Sequence, residues 1–344
     1  MKNEKLFEKN INSEIISCPI LVEGLKKVID TKLDHIEDIA TKIYKNNPER
    51  LIFTGSGNSW SAMYSAKYLM DKFSNLPCEL FFGPELITRD PEYINDRAYA
   101  IAASYTGKTE DTLNAVKYLK SKGSKTISIT KTKDSPIALE SDINISYESK
   151  SLYISAIFET FILISHILNL RGEFNDFKKF YNELLDLPQK LEEAIDMSME
   201  KARRLADDLA DAELIYICAD GPLYGLGYQA ALTTITEYLR IDASMVQGCE
   251  WRHGPLEIVG KGRPIVGFLL GSDNSRFYTE RTMNFCKRYG ARTFNFDMKE
   301  YNSSANPLLS PFFVYPVINW FILYMSVIRN VDLDEYLYMH KVEY

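Results

Sequence analysis

Hydroxyl-bearing side chains are concentrated in the segment Ser104-Tyr105-Thr106-Gly107-Lys108-Thr109, which follows an apolar run and precedes a helical pattern. Phosphate is bound by this combination of parts: backbone N–H groups at the start of a helix, the positive end of the helix dipole, and directed hydroxyl donors. The same residues also suit an ordinary N-cap, in which Ser104 or Thr109 binds the first free amides of the helix. The spacing is not that of a Walker loop. The turn therefore predicts an anion site, with helix capping as the alternative.

A second turn of similar composition, Gly55-Ser56-Gly57-Asn58-Ser59, also lies between an apolar run and a helical pattern. Its glycines could serve only to supply the positive φ of a tight turn. In a parallel sheet, however, turns that follow neighbouring strands open into one crevice. Two hydroxyl-rich turns at such positions therefore support each other as parts of one binding site.

Glu237 and His253 are the best candidates for acid–base chemistry. His253 lies in a loop just before Gly254-Pro255, and loops at strand ends commonly carry catalytic side chains. The other three histidines lie on predicted helices or close to the C-terminus. Each candidate also has a plainer interpretation, His253 as a structural residue and Glu237 as a solvated carboxylate on a helix face. The residue types alone leave both interpretations open.

The elements that must position these residues alternate in type along the chain. Short apolar runs predict strands, and patterns of 3.6-residue period predict helices between them. The predicted strands are 50–54, 98–103, 126–130 and 143–145, then 214–218, 264–270 and 291–296. The predicted helices are 60–73, 110–122, 153–170, 224–239 and 276–289, with further helical pattern over 1–50 and 172–200. This alternation indicates an α/β fold whose parallel sheet is covered on both faces and is built twice along the chain.

Composition narrows the classes of function. A chain of 344 residues has room for two domains. Its net charge of −7 disfavours a nucleic-acid or membrane partner, which would attract a basic face. The five cysteines are dispersed and form no CxxC pair, which indicates reduced thiols in a cytoplasmic protein rather than a zinc site or disulfides. The apolar stretch 311–327 contains Asn319 and predicts a buried helix rather than a membrane span.

Taken together, the motifs resemble those of the sugar isomerase (SIS) domain proteins, with two such domains in tandem. The family's phosphate loop has the pattern Ser-x-Ser/Thr-Gly-x-Thr, which residues 104–109 match, and its Gly-x-Gly-x-Ser turn matches residues 55–59. A catalytic glutamate stands sixteen residues before the histidine of a His-Gly-Pro loop in the family, and Glu237 and His253 have this separation here. A lysine among the last residues of family members matches Lys341.

The resemblance implies a fold and a set of site residues. Each domain is expected to be a parallel five-stranded sheet flanked by helices, a flavodoxin-like three-layer sandwich. The expected bounds are an N-terminal helical segment 1–34, a first domain 35–172, a helical connector 173–198 and a second domain 199–344. The expected catalytic residues are Glu237, His253 and Lys341. The residues expected to bind the substrate or its phosphate are Gly55, Ser56, Ser59, Ser104, Tyr105, Thr106, Thr109 and Ser151. The loop 271–274 fits a repeat that kept its fold and lost its own phosphate site.

Two departures from the family pattern bear on the reaction. The isomerase half of glucosamine-6-phosphate synthase carries a glutamate and a lysine seven and three residues before the catalytic glutamate, where this chain has Ala230 and Thr234. The resemblance therefore favours the fructosamine-6-phosphate deglycases, which cleave phosphorylated Amadori compounds with water to glucose 6-phosphate and a free amino acid. It implies no metal or other cofactor, a cytoplasmic homodimer with the active site near the subunit interface, and a small sugar phosphate as the ligand. An aldose–ketose isomerase, an amino-sugar-phosphate deaminase and a non-catalytic sugar-phosphate sensor remain the alternatives.

Overall fold

The computed structural model describes residues 4–151, 153–261, 264–339 and 341–343. The chain divides into two compact units. Residues Ile20–Pro188 form what we call the N-terminal unit, and residues Met1–Pro19 join Gln189–Tyr344 in what we call the C-terminal unit. The bounds predicted from the sequence, 35–172 and 199–344, remain a proposal for the two repeats.

Helices and strands alternate through both units. The strands are β1 Arg50–Gly55, β2 Cys78–Phe82, β3 Ala98–Ser104, β4 Lys125–Thr130, β5 Ile143–Ser146, β6 Leu214–Cys218, β7 Asp242–Val246, β8 Ile265–Leu270 and β9 Arg292–Asp297. The helices are α1 Glu4–Ile11, α2 Leu21–Asn46, α3 Asn58–Phe73, α4 Gly83–Arg89, α5 Glu110–Ser121, α6 Pro136–Glu140, α7 Ile154–Leu170, α8 Phe177–Leu185, α9 Leu187–Asp208, α10 Tyr224–Tyr228, α11 Glu237–Leu239, α12 Arg276–Arg288, α13 Met298–Asn302 and α14 Ser310–Ile328.

The N-terminal unit is built on a five-stranded parallel sheet in the order β2-β1-β3-β4-β5. Every residue of β3 is buried, because helices cover both faces of the sheet. Ile52 and Ala100 face one side and join the core of α4 and α5. Helix α7 packs against both α2 and α3. This layering confirms the predicted α/β architecture and brings the carboxyl ends of β1 and β3 side by side.

The C-terminal unit has a parallel sheet in the order β7-β6-β8-β9. Five strands were expected here, and the described residues form four. In the N-terminal unit the fifth strand follows α6, whereas the residues that follow α13, Ser303-Ser304-Ala305-Asn306, offer no β-branched or aromatic side chain to a sheet. They lead through a short 3₁₀ turn into α14.

Residues before Pro19 pack onto α14. The Asn319 side chain accepts hydrogen bonds from the amides of Ser17 (3.0 Å) and Cys18 (3.1 Å) and donates to the carbonyl of Ile15 (2.9 Å). Within the described chain, one helical stretch, Pro307–Ile328, is long and apolar enough to cross a membrane, and most of it is buried in the protein. The polar Asn319 that interrupts it is thus a bonded core residue, as a buried helix requires.

Two strands, β2 and β7, were not predicted from the sequence. They occupy corresponding positions in the two sheets. Each is an edge strand that follows the first helix of its repeat and pairs with a single neighbour. Because an edge strand is buried less completely than a central one, its sequence needs no continuous apolar run. The segment CELFF has only three consecutive apolar residues, and DASMV has only two.

Candidate functional site

The turn after β3 is held in shape by its own hydroxyls. The Ser104 Oγ accepts from the amide of Gly107 at 3.1 Å and lies 3.1 Å from the Thr109 Oγ1. The Thr106 Oγ1 accepts from the amide of Lys108 at 3.2 Å. Ser104 itself is buried, while Thr106 and Thr109 are exposed. These contacts keep the hydroxyls of the turn within one short stretch of backbone.

Gly107 fixes the turn against helix α6. Its φ of +63° is a left-handed conformation that favours glycine, and a Cβ there would lie 2.0 Å from the Ser135 Oγ. The amide of Ile137 donates to the Gly107 carbonyl at 3.0 Å. The turn is thus docked on the first residues of α6, which makes it a preorganised cradle rather than a loose loop.

Helix capping does not account for the hydroxyls at this turn. Thr109 is the N-cap residue of α5, yet its side chain makes no capping hydrogen bond to the helix. The Ser104 hydroxyl is engaged with Gly107, before the helix begins. The first amides of α5 are therefore not capped by these side chains, which favours the anion-site interpretation.

The turn after β1 approaches the sheet closely. A Cβ on Gly55 would lie 3.0 Å from the backbone of Ser59 and Trp60 and 3.2 Å from the Ala103 carbonyl oxygen. The amide of Ser59 donates to the Ser56 carbonyl at 3.0 Å. Gly55 thus allows the start of α3 to pack against the end of β3, beside the turn after β3.

The two turns share one small cavity, as the parallel topology predicted. Ser59 comes from the turn after β1, and Ser104 and Tyr105 come from the turn after β3. The described residues of the lining are Asn58, Ser59, Ala62, Ser104, Tyr105, Ile129, Tyr147, Tyr153 and Ala156. Ser151 is not among these residues; it is buried against Gly24 of α2. Its role as a binding residue remains a prediction.

Sequence reasoning missed Asn58, Tyr147 and Tyr153 in this lining. Tyr147 directly follows β5, so the rule that strands of a parallel sheet end at the same edge would have included it. Tyr153 has φ 68° and ψ −61°, a sparsely populated conformation for a side chain of this size. Backbone strain of this kind is concentrated at binding sites.

Glu237 lies at an irregular point of its helix. The predicted helix 224–239 consists of α10, a π-helical segment Gln229–Thr236, and the short α11 that Glu237 begins. The Thr234 hydroxyl donates to the carbonyl five residues back, at Gln229 (2.9 Å). π-Helical segments recur at functional sites because they redirect the side chains that follow them. Burial raises the pKa of the Glu237 carboxyl to about 7, while a hydrogen bond from Tyr238 opposes the shift.

The C-terminal residues lie against this end of the helix. The rings of Tyr238 and Tyr336 meet edge to face with centroids 6.3 Å apart. Arg240, which ends α11 in a left-handed conformation, donates to the Glu335 carbonyl. Lys341 follows five residues after Tyr336 and is exposed, with its amide bonded to the Tyr338 carbonyl at 2.9 Å.

The loop that carries His253 is anchored by Asp220. This buried carboxylate accepts from the amides of Gly248 (3.0 Å) and Cys249 (3.2 Å) and from the Thr279 hydroxyl (2.7 Å). A Cβ on Gly248 would lie 2.4 Å from the Asp220 Oδ2, so the loop needs glycine there. His253 ends the 3₁₀ turn Trp251–His253 and is exposed. Within the described residues, no hydrogen bond joins His253 to Glu237.

In the second repeat, the place of the hydroxyl turn is taken by an acidic one. The Asp273 carboxylate accepts from the amide (3.1 Å) and hydroxyl (3.0 Å) of Ser275 just before α12. A Cβ on Gly221 would lie 2.9 Å from the Asp273 Oδ2. A carboxylate of the protein thus lies at the start of this helix, and the loss of a second phosphate site remains a prediction.

Comparison with known proteins gives concordant results. Residues 42–169 match the family model described as SIS domain. The fructoselysine 6-phosphate deglycase of Escherichia coli (strain K12) is 30% identical over 318 residues, which span 92% of this chain and 93% of that protein. The fructosamine deglycase of Bacillus subtilis (strain 168) is 27% identical over 305 residues, 86% of this chain and 93% of that protein.

A solved structure shares the fold. The C-terminal domain of glucosamine-fructose-6-phosphate aminotransferase from Francisella tularensis has a TM-score of 0.81. It is 18% identical and covers 94% of this chain and 96% of that chain. At this identity the likeness concerns the fold alone.

Proposed function

The chain belongs to the SIS-domain family, and from this premise we propose that it is a fructosamine-6-phosphate deglycase. The substrate class would be phosphorylated Amadori compounds such as fructoselysine 6-phosphate, and the products glucose 6-phosphate and a free amino acid. The observation that carries the proposal is Glu237, a partly buried carboxyl with a pKa of about 7 at the end of a π-helical segment. The full-length similarity to two deglycases supports it.

A carboxyl with this pKa can both take and return a proton at neutral pH. In the proposed reaction, His253 assists ring opening, which gives the open-chain ketone. Glu237 then removes a proton from C1, the C1–H electron pair forms the C1=C2 double bond, and the C2 oxygen takes up the proton that the substrate's protonated amine gives up, which yields the enaminol. Glu237 returns the proton to C2, and the C1–N bond becomes a protonated imine. Water adds to C1, the amine leaves, and the aldehyde of glucose 6-phosphate remains.

Other residues have supporting roles in this proposal. The hydroxyls of Ser59, Ser104, Thr106 and Thr109, with the amides of the turn, bind the 6-phosphate. Lys341 stabilises negative charge on the C2 oxygen as the enaminol forms. The net reaction consumes water, so the enzyme is a hydrolase in outcome. Its five cysteines are all free, which fits a reducing cytoplasm.

We also place a homodimer interface beside the His253 loop. Helix α12 exposes Phe277 (62%) and Tyr278 (42%), and a groove next to it is lined by Trp251, Arg252, Leu256, Arg281, Thr282 and Phe285. Exposed aromatic and arginine side chains are typical of protein interfaces. A second copy seated here would cover the loop that carries His253. The double variant Phe277→Glu, Tyr278→Glu should then be monomeric by light scattering, whereas Tyr44→Glu, at an exposed position of α2, should leave the oligomer unchanged.

The function is tested by incubation with several fructosamine 6-phosphates and assay of both products. Glucose 6-phosphate and free amine should appear in equal amounts. The Glu237→Gln variant should lose about 10²- to 10⁴-fold in kcat, because it cannot accept a proton. Isomerisation of a sugar phosphate without amine release, or turnover by Glu237→Gln equal to wild type, would contradict the proposal. Tight binding without any turnover would point to a sensor.

A further inference from the structure

Lys131 lies between two of the segments that line the cavity. It directly follows β4, in which Thr130 pairs with Ser104 of β3. Its amide donates to the Tyr105 carbonyl at 3.1 Å, and its carbonyl accepts from the amide of Glu148 at 2.9 Å. The backbone of Lys131 is therefore fixed to the turn after β3 on one side and to the segment after β5 on the other.

The side chain of Lys131 lies near the turn after β3. Its ammonium nitrogen lies 4.9 Å from the centroid of the Tyr105 ring. That ring stacks on Tyr147 with centroids 6.4 Å apart, and both tyrosines line the cavity. A partly buried lysine is thus held over an aromatic residue of the hydroxyl turn, a favourable position for a cation.

The charge of the site calls for such a cation. Among the residues that the structure describes, those that line the cavity are all uncharged. The helix that begins at the turn opens with two acidic residues, Glu110 and Asp111. A phosphate monoester carries about −1.5 to −2 charges at neutral pH. Hydroxyls and a helix dipole, which offers about half a charge, leave most of that charge uncompensated.

We propose that Lys131 is a phosphate-binding residue of this site, supplying a positive charge that none of the described lining residues carries; Lys108 of the turn is exposed and is not among them. The ammonium would move from the Tyr105 ring toward an anion held by Ser104 and Thr106. The identification of that anion as the 6-phosphate of a fructosamine rests on the proposed function. The affinity of the site for an anion does not rest on the proposed function. The phosphate-binding role of Lys131 and the deglycase activity can therefore fail separately.

Binding is measured first, by calorimetric titration with inorganic phosphate and with glucose 6-phosphate. Lys131→Gln should weaken both about tenfold or more and reduce the salt dependence of the affinity, because one charge-assisted contact is lost. Lys131→Arg should restore most of the affinity. Lys133 is an exposed lysine two residues further along the chain. The control variant Lys133→Gln should bind both anions with an affinity within about twofold of wild type. Equal affinities for Lys131→Gln and wild type would overturn the proposal.

Two further measurements distinguish phosphate binding by Lys131 from a purely structural role. Lys131→Met keeps the aliphatic stem and should match the affinity loss of Lys131→Gln with a melting temperature close to wild type. With fructoselysine 6-phosphate, either variant should raise KM and leave kcat within a few-fold. A fall in kcat at unchanged KM and unchanged phosphate affinity would instead assign Lys131 to packing. If Lys131→Gln loses phosphate binding and the wild-type protein cleaves no fructosamine phosphate, the phosphate-binding role of Lys131 would be supported and the deglycase function would be refuted.

Discussion

At the scale of single residues, the protonation of the Glu237 carboxyl affects both the proposed catalysis and the stability of the fold. Its pKa in the folded chain is about 7, against an ordinary value of 4.5. The folded state therefore binds more protons than the unfolded state between these values, and stability falls as pH rises through that range. The protonation that would let Glu237 act as an acid–base catalyst in the proposed reaction is thus also linked to the stability of the fold.

The stability of Glu237→Gln should accordingly depend on pH relative to wild type. Near pH 4 the two proteins should unfold at the same urea concentration, since Glu237 is protonated in both states. At pH 8 the variant should be more stable by about 3 kcal/mol, because it buries no charge and a pKa raised from 4.5 to about 7 corresponds to that difference. Urea unfolding at several pH values measures this difference, and Glu257→Gln, an exposed residue, serves as control. A difference that does not change with pH would contradict the raised pKa.

The same carboxyl should shape the pH dependence of turnover. Because it must be ionised to take the C1 proton, kcat should rise with pH and level off above about 7. The profile is read at saturating substrate, since the substrate phosphate titrates near pH 6 and would distort kcat/KM. A kcat that stays constant between pH 5.5 and 8 would exclude Glu237 as the base.

Ser104→Ala should act on substrate binding. The change removes a hydroxyl that holds the Gly107 amide and is itself a phosphate ligand in the proposal. KM should rise by about tenfold or more, and kcat should change less, because the loss falls on a group that binds the ground state and the transition state alike. Ser121→Ala, at the exposed end of α5, is the matched control for steady-state kinetics.

At the scale of elements, the central strands could be predicted from their continuous apolar runs, and the long helices from apolar residues at 3.6-residue spacing. The edge strands β2 and β7 were not predicted, although β5 and β9 at the opposite edges of the two sheets were. Almost every residue of β2 and β7 is only partly buried or exposed, so their sequences carry a weaker apolar signal. The hydroxyl turn was predictable from residue type and from its place between strand and helix. The Asp220 anchor was not, because its partners Gly248 and Thr279 are 28 and 59 residues away and leave no local pattern.

The Asp220 anchor yields a prediction about the His253 loop. Asp220→Asn keeps the size of the side chain but can accept only through one oxygen, so the Gly248 and Cys249 amides lose part of their support. The loop should loosen, and kcat should fall by about tenfold while phosphate affinity is unchanged. Calorimetry with inorganic phosphate provides the second readout, and Asp211→Asn, an exposed neighbour of β6, provides the control. Loss of phosphate affinity equal to the loss of kcat would argue for general misfolding.

At the scale of the whole molecule, the N-terminal residues belong with the C-terminal unit. The Asn10 side chain donates to the Ser326 hydroxyl and the Val331 carbonyl, both at 2.8 Å, and accepts from the Leu333 amide at 3.2 Å. Together with the Asn319 contacts, these bonds fasten residues before Pro19 to α14 and the segment after it. The buried polar groups on both sides depend on each other.

Fragments should reflect this arrangement. Residues 20–188 form a continuous unit with its own core and should fold alone, as judged by circular dichroism and a cooperative melt. Residues 189–344 should be poorly soluble, because α14 then exposes apolar surface and the unpaired Asn319 amide. A synthetic peptide of residues 1–19 added in trans should restore cooperative melting, and the same peptide with Asn10→Leu should not. Cooperative melting of 189–344 without the peptide would contradict the dependence.

The pairing of Asn10 with Ser326, 316 residues apart in sequence, also sets an order of events during synthesis. The residues before Pro19 leave the ribosome long before their partners are made, while residues 20–188 can already close their sheet. Until the residues from α14 to Leu333 have been made, the segment before Pro19 lacks the partners seen here. The capture of this segment thus follows the folding of the N-terminal unit, and a nascent chain stalled before residue 310 would hold a finished N-terminal unit with the segment before Pro19 still unbound.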